Sequence, residues 1–185
     1  MSTIVCLGDS MTYGKGFGAN SSLQKPLNVR LAEKYPGVYV VNMGTNGIYT
    51  STMDSVKNNA NAYAPFRVVV FGGINDITYG DRSAAAIEAN LQSIYTYYSS
   101  LNYEVWALTI TPCDGDTSTH NTRKYAVNEW IKNTATGVDK VIDAWTVIRD
   151  PSDITKRLPA YASIEAAAPA HFNDAGWAAI IATIS

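Results

Sequence analysis

Ser10 and the two histidines of this 185-residue sequence, His120 and His171, have side chains suited to combined nucleophilic and acid–base chemistry. A serine hydroxyl is a poor nucleophile until a neighbouring base takes its proton, and the oxyanion formed on attack at a carbonyl must meet fixed donors. His171 stands in AAAPAHFNDAGW near the C-terminus, and His120 in the polar stretch CDGDTSTHNTR. Asn75, in FGGINDITYG, offers an amide donor, and Gly44, in VNMGTNG, offers a backbone N–H with no side chain in the way.

Taken singly, each has a plainer account. Asp9 and Ser10, in GDSMTYG, suit a helix cap. Gly44 suits a turn, Asn75 an Asx turn, and His120 a solvated loop. Phosphate-loop readings of GKGFGA fail. Gly8 to Gly14 is six steps where the Walker pattern needs five, and Gly16 follows Lys15 where a hydroxyl is required. Gly14, Gly16 and Ala19 fit a dinucleotide fingerprint loosely, but they begin seven residues after Leu7, and the acidic Glu33 falls inside a helical segment. This stretch therefore reads as an active-site loop, and no cofactor is expected.

The elements that must position these residues follow from periodicity. Apolar β-branched runs recur at 3–7, 38–43, 67–71, 104–110 and 140–144, and runs apolar on both faces suit a parallel sheet covered on both sides. Segments of helical period fall at 23–35, 83–101, 121–134 and after Asn173, with a weaker, Asn-rich one at 51–62. Strand alternating with helix predicts a three-layer α/β/α sandwich, flavodoxin-like, with a five-stranded, mostly parallel sheet in one domain spanning 1–185. Ligands of such sheets bind beyond the carboxyl ends of the strands, where Ser10, Gly44 and Asn75 all fall.

Charge and composition exclude other classes. With 14 basic against 16 acidic residues and a net charge of −2, the chain has no basic cluster to hold a phosphate backbone, so nucleic acid is not an expected partner. Cys6 and Cys113 are two isolated thiols with neither disulfide-framework nor zinc spacing, and both read as packing residues. No apolar run reaches the ~20 residues needed to span a bilayer. The first strand begins directly after Met1-Ser2, without room for a leader, so the chain as given is expected to be cytoplasmic, a longer secreted precursor remaining compatible.

Taken together, GDSMTYG, NMGTNG, GGIND and HFNDAGW resemble, in order, the blocks of the GDSL or SGNH hydrolase superfamily. The resemblance spans nearly the whole chain. It implies that Ser10 is the nucleophile and His171 the general base. It also implies that the Ser10 amide, the Gly44 amide and the Asn75 side chain form the oxyanion hole. The implied reaction is carboxylic ester hydrolysis through an acyl-serine, without metal, on short acyl esters such as acetyl groups, carbohydrate esters included.

One position departs from the pattern. The family writes its last block Asp-x-x-His, whereas here the frame is Ala168-Pro169-Ala170-His171. Loss of the acid from such a triad typically costs about 10⁴-fold in turnover. Three accounts follow: an acid replaced by alanine, a Ser-His dyad oriented by a backbone carbonyl, or a replacement acid. Glu165 and Asp174 are the acids nearest in sequence, although Asp174 also suits a cap of the last helix and Glu165 a solvated charge. The lost acid is favoured, because the rest of the block is kept. An acyl-glycan-binding protein without turnover is the competing function.

Overall fold

In the computed structural model, which describes residues 2–15, 25–163 and 170–185, the five apolar runs form one sheet. Its strands are β1 (Thr3–Gly8), β2 (Tyr39–Gly44), β3 (Arg67–Phe71), β4 (Glu104–Leu108) and β5 (Lys140–Ile142). Their order is β2-β1-β3-β4-β5 and every pairing is parallel. The mostly parallel sheet expected from the apolar runs is thus parallel throughout these strands. Interior β1 is buried along its whole length, as a strand covered on both faces must be, whereas in edge strand β2 only Val41 is buried.

The helices are α1 (Ser10–Tyr13), α2 (Leu27–Lys34), α3 (Thr50–Val56), α4 (Ile74–Thr78), α5 (Ala84–Ser100), α6 (Ser118–Asn133), α7 (Ala144–Ile148) and α8 (Asp174–Ala182). One group, α1, α2, α7 and α8, packs together, and α3, α5 and α6 form the other, giving the three layers. In α5, Ser83 accepts the Ala86 N–H as the cap, and Ile87, Leu91, Ile94 and Tyr98 form the buried stripe. None of the described helices is long and apolar enough to cross a membrane.

Several boundaries differ from the sequence expectation for local reasons. β4 stops at Leu108 because the Asn128 side chain takes both the N–H (2.7 Å) and the carbonyl (2.9 Å) of Ile110, satisfying that backbone away from the ladder. β5 stops at Ile142 because Asp143 turns to cap α7. Thr117 caps α6, which therefore begins early enough to include His120, expected in a loop. The weak segment at 51–62 resolves into α3 followed by the 3-10 turn Lys57–Tyr63. Of the segment expected at 23–35, residues 23 and 24 lie outside the described residues, and α2 starts after Pro26.

Candidate active site

The carboxyl edge of the sheet is built around the end of β1. Gly8 lies in register with Gly44 of β2 and Phe71 of β3. Asp9 then caps α1, its Oδ1 accepting the Met11 N–H at 2.9 Å, so Ser10 becomes the first residue of a helix that starts directly above the sheet. The cap reading and the nucleophile reading of this pair are thus compatible. Both glycines are required by space: a Cβ on Gly8 would lie 2.1 Å from Thr12 Oγ1, and one on Gly44 would lie 2.1 Å from the Tyr13 nitrogen.

Across this edge the Ser10 Oγ lies 2.8 Å from His171 Nε2, joining residues 161 positions apart. Both are buried, Ser10 being 7% and His171 8% exposed. The histidine segment is tightly held. Phe172 and Trp177, both buried, meet edge to face at 4.9 Å, and Trp177 meets Phe71 of β3 at 5.8 Å. Ala162 and Phe172 form an antiparallel bridge, and Asn173 caps α8 while its Nδ2 donates to the carbonyls of Ala160 and Ala162. The cap is therefore Asn173. Asp174, expected to cap, instead turns its Oδ1 to the α2 side, accepting the Lys25 N–H at 2.9 Å and pairing with Arg30 at 3.2 Å.

Asn75 sits in the first turn of α4, buried, with Nδ2 donating to the Ile48 carbonyl at 3.0 Å. That bond leaves the second amide hydrogen for another acceptor. Its neighbour Asp76 grips the same connection, taking the Thr50 N–H at 2.9 Å and hydroxyl at 2.7 Å. Together they lock the turn at 45–48 against α4. Gly44, in contrast, already donates its N–H to Asn42 Oδ1 at 2.8 Å, so an oxyanion there would have to displace a side chain. Within the locked turn stands Gly47, exposed, at φ +70°, with no acceptor for its amide among the described residues. Sequence reading passed over it, although the second glycine of NMGTNG was the available signal.

Asp9 and Asp76, also unremarked by sequence reading as chemical groups, lie beneath this site. Burial raises the Asp9 carboxyl from its ordinary 3.8 to about 7, the Met11 N–H opposing and Asp76 reinforcing the rise. Its Oδ2 has no hydrogen-bond partner among the described residues. Asp76 is also raised by burial, opposed by its bonds to Thr50.

The remaining candidates are placed elsewhere or lie outside the described residues. His120 has Nδ1 3.3 Å from Asp116 Oδ1, and the second oxygen of Asp116 pairs with the buried Lys124. His120 is thus tied to this ion pair, and Ser10 is joined to His171. Ala168, Glu165, Gly16 and Ala19 fall outside the described residues. Cys6 and Cys113 are buried free thiols. Among the described residues no cluster of three or more His, Cys, Asp or Glu could hold a metal ion.

A buried histidine ring nitrogen within hydrogen-bond reach of a serine hydroxyl, at a parallel sheet's carboxyl edge, can take up that hydroxyl's proton. No curated protein matches the chain. Among solved structures, a lipase/acylhydrolase from Enterococcus faecalis is similar at 23% identity and a TM-score of 0.76, with 98% of this chain and 92% of that one covered. A member of the lipolytic protein G-D-S-L family from Veillonella parvula is similar at 22% identity and a TM-score of 0.77, with 98% and 95% covered. At these identities the likeness establishes the fold. The sequence matches the GDSL-like Lipase/Acylhydrolase family over residues 6–179, so the chain belongs to that family of ester hydrolases.

Proposed function

We propose that the protein hydrolyses short acyl esters, acetyl esters of carbohydrates first among them, through an acyl-Ser10 intermediate. The observation that carries this reading is the 2.8 Å contact between Ser10 Oγ and His171 Nε2 in a buried setting. His171 Nε2 takes the serine proton as Oγ attacks the carbonyl, then returns it to the leaving alcohol. A water deprotonated by the same imidazole releases the acid. The oxyanion is met by the Ser10 amide, which as the first N–H of α1 has no acceptor within the helix, and by Asn75 Nδ2. The glycine donor is the Gly47 amide, in the turn held against Asn75, rather than the committed Gly44 amide.

Burial of both reacting groups favours a small acyl chain. A sugar alcohol is supported by two exposed rings near the site: Tyr13, closing α1 and 51% exposed, and Tyr79, directly after α4 and 63% exposed. The Tyr79 amide donates to the Asn75 carbonyl at 3.0 Å, which places this residue one turn from the proposed donor. Ala168 favours one other reading, acylated-glycan binding without turnover. The test is hydrolysis of p-nitrophenyl acetate by the chain and by Ser10→Ala. Turnover lost in Ser10→Ala supports the hydrolase, whereas equal background rates in both would leave only binding.

A further inference from the structure

Arg157 belongs to none of the motifs above, yet it is 5% exposed. It lies between α7 and the 3-10 turn Pro159–Tyr161. Its Nη1 donates to the main-chain carbonyl of His171. Its Nη2 donates to Asp114 Oδ2 at 2.8 Å, and its main-chain N–H donates to Asp114 Oδ1 at 3.0 Å. Asp114, on the connection from β4 to α6, thus holds Arg157 with both carboxylate oxygens, and its carboxyl is drawn below the ordinary value by these bonds, although burial opposes them. The Ser163 N–H reaches the same His171 carbonyl at 3.2 Å.

Stability alone is a weak reason for this arrangement, since an ion pair whose carboxylate is 40% exposed to solvent contributes little to it. A guanidinium, however, is a rigid fork that only donates, so a carbonyl on one arm and a carboxylate on the other fix two chain segments relative to each other. The segment fixed here carries the imidazole. We propose that the Asp114–Arg157 pair is a positioning device for the base, clamping the main chain at His171 so that Nε2 stays in reach of Ser10. The clamp works from the backbone side, where the family's usual acid would work through the ring. Arg157 touches neither Ser10 nor substrate, so its effect passes through His171. The kinetic consequences rest on the hydrolase reading, whereas the effect on the His171 ring does not.

The experiment compares the full chain with Arg157→Met, Arg157→Lys and Asp114→Asn. Turnover of p-nitrophenyl acetate and thermal melting are followed, together with the imidazole resonances by proton–nitrogen NMR. Two histidines give two sets of ring signals, with His120 as an internal reference. Arg157→Met is expected to lower kcat about 10- to 100-fold with KM within about three-fold, because misplacing a catalytic group by an ångström costs up to that much. Arg157→Lys, which keeps one donor, should recover part of the loss. In a His171→Ala background the same substitution should cost nothing further. The His171 ring signals should shift and broaden while those of His120 stay. Unchanged His171 signals, or an equal loss of kcat with and without His171, overturns the proposal. Should Arg157→Met fail to fold, Asp114→Asn and Arg157→Lys carry the same comparison. A native chain without turnover would overturn the hydrolase reading, and the ring signals would still decide the clamp.

Discussion

At the amino edge of the sheet, Arg67 and Glu104 meet in two hydrogen bonds of 2.9 and 2.7 Å, and the guanidinium lies over Trp106 with its centre 3.6 Å from the ring centroid. The remaining Glu104 oxygen takes the Trp106 indole N–H at 2.6 Å. At the carboxyl edge the same strands end among groups matched far less completely. Asp9 keeps one buried oxygen without a partner among the described residues, Asp76 raises its pKa further, and Ser10 and His171 are buried against each other. One end of the sheet satisfies its polar groups, and the other leaves a buried carboxylate oxygen unmatched among the described residues. Sites that act on a ligand commonly give up local stability in this way, so substitutions at the two ends should separate turnover from folding.

The largest expected separation comes from Ala168→Asp. A carboxylate three residues before His171 should raise kcat on a short-chain ester by two or more orders of magnitude, against a ceiling of about 10⁴. The gain should vanish in a Ser10→Ala background. If Ala168→Asp is no faster than the native chain, the base is already oriented by other means, and the lost-acid account is replaced by the dyad or replacement-acid account.

Asn75→Ala should lower turnover ~10²–10³-fold. Its stability effect is not negligible, because the buried Ile48 carbonyl loses the Asn75 donor. A cost of about 1–2 kcal/mol corresponds to a Tm fall of roughly 2–8 °C. Loss of turnover without any change in melting would show that the bond to Ile48 contributes nothing.

Asp9 tests the incompletely paired end by pH. Its carboxyl is raised in the folded state from 3.8 to about 7, so the folded protein holds a proton that the unfolded chain releases. Stability therefore falls as pH rises from about 4 through about 7 and flattens above, by an amount on the order of a few kcal/mol. Asp9→Asn keeps an acceptor for Met11 and removes this titration, so its Tm should vary less than that of the native chain between pH 5 and pH 8. Equal slopes would mean that Asp9 is ionised throughout.

The smallest effect on chemistry is expected at the satisfied end. Arg67→Ala should cost about 1–2 kcal/mol, seen as a lower Tm, and leave kcat within about two-fold. A larger kinetic effect would show that the two edges are coupled through β3.

Ser10 and His171 were legible without coordinates because each lies in a short block, and so were the five strands, whose apolar runs report burial on both faces. Local pattern was less able to say which donors remain open. Gly44 satisfied the block in sequence, but its N–H is taken by Asn42, while Gly47 stands in a turn whose position depends on Asn75 and Asp76. His120 was expected in a loop because its surroundings are polar, yet Thr117 starts α6 early and Asp116 holds the ring.

Residue types and their periodicity were thus enough to determine the alternation of strands and helices along the chain and the covered sheet, while the resemblance of the short blocks picked out the serine and histidine that meet above it. Burial of a strand and the start of a helix depend on neighbours within a few positions. The raised Asp9 carboxyl, the hold of Asn75 and Asp76 on the turn that carries Gly47, and the Asp114–Arg157 grip on the His171 carbonyl were decided by tertiary structure alone. Desolvation and hydrogen-bond partnership depend on which atoms lie within a few ångströms, and here packing brings those atoms together from several separate segments of the chain.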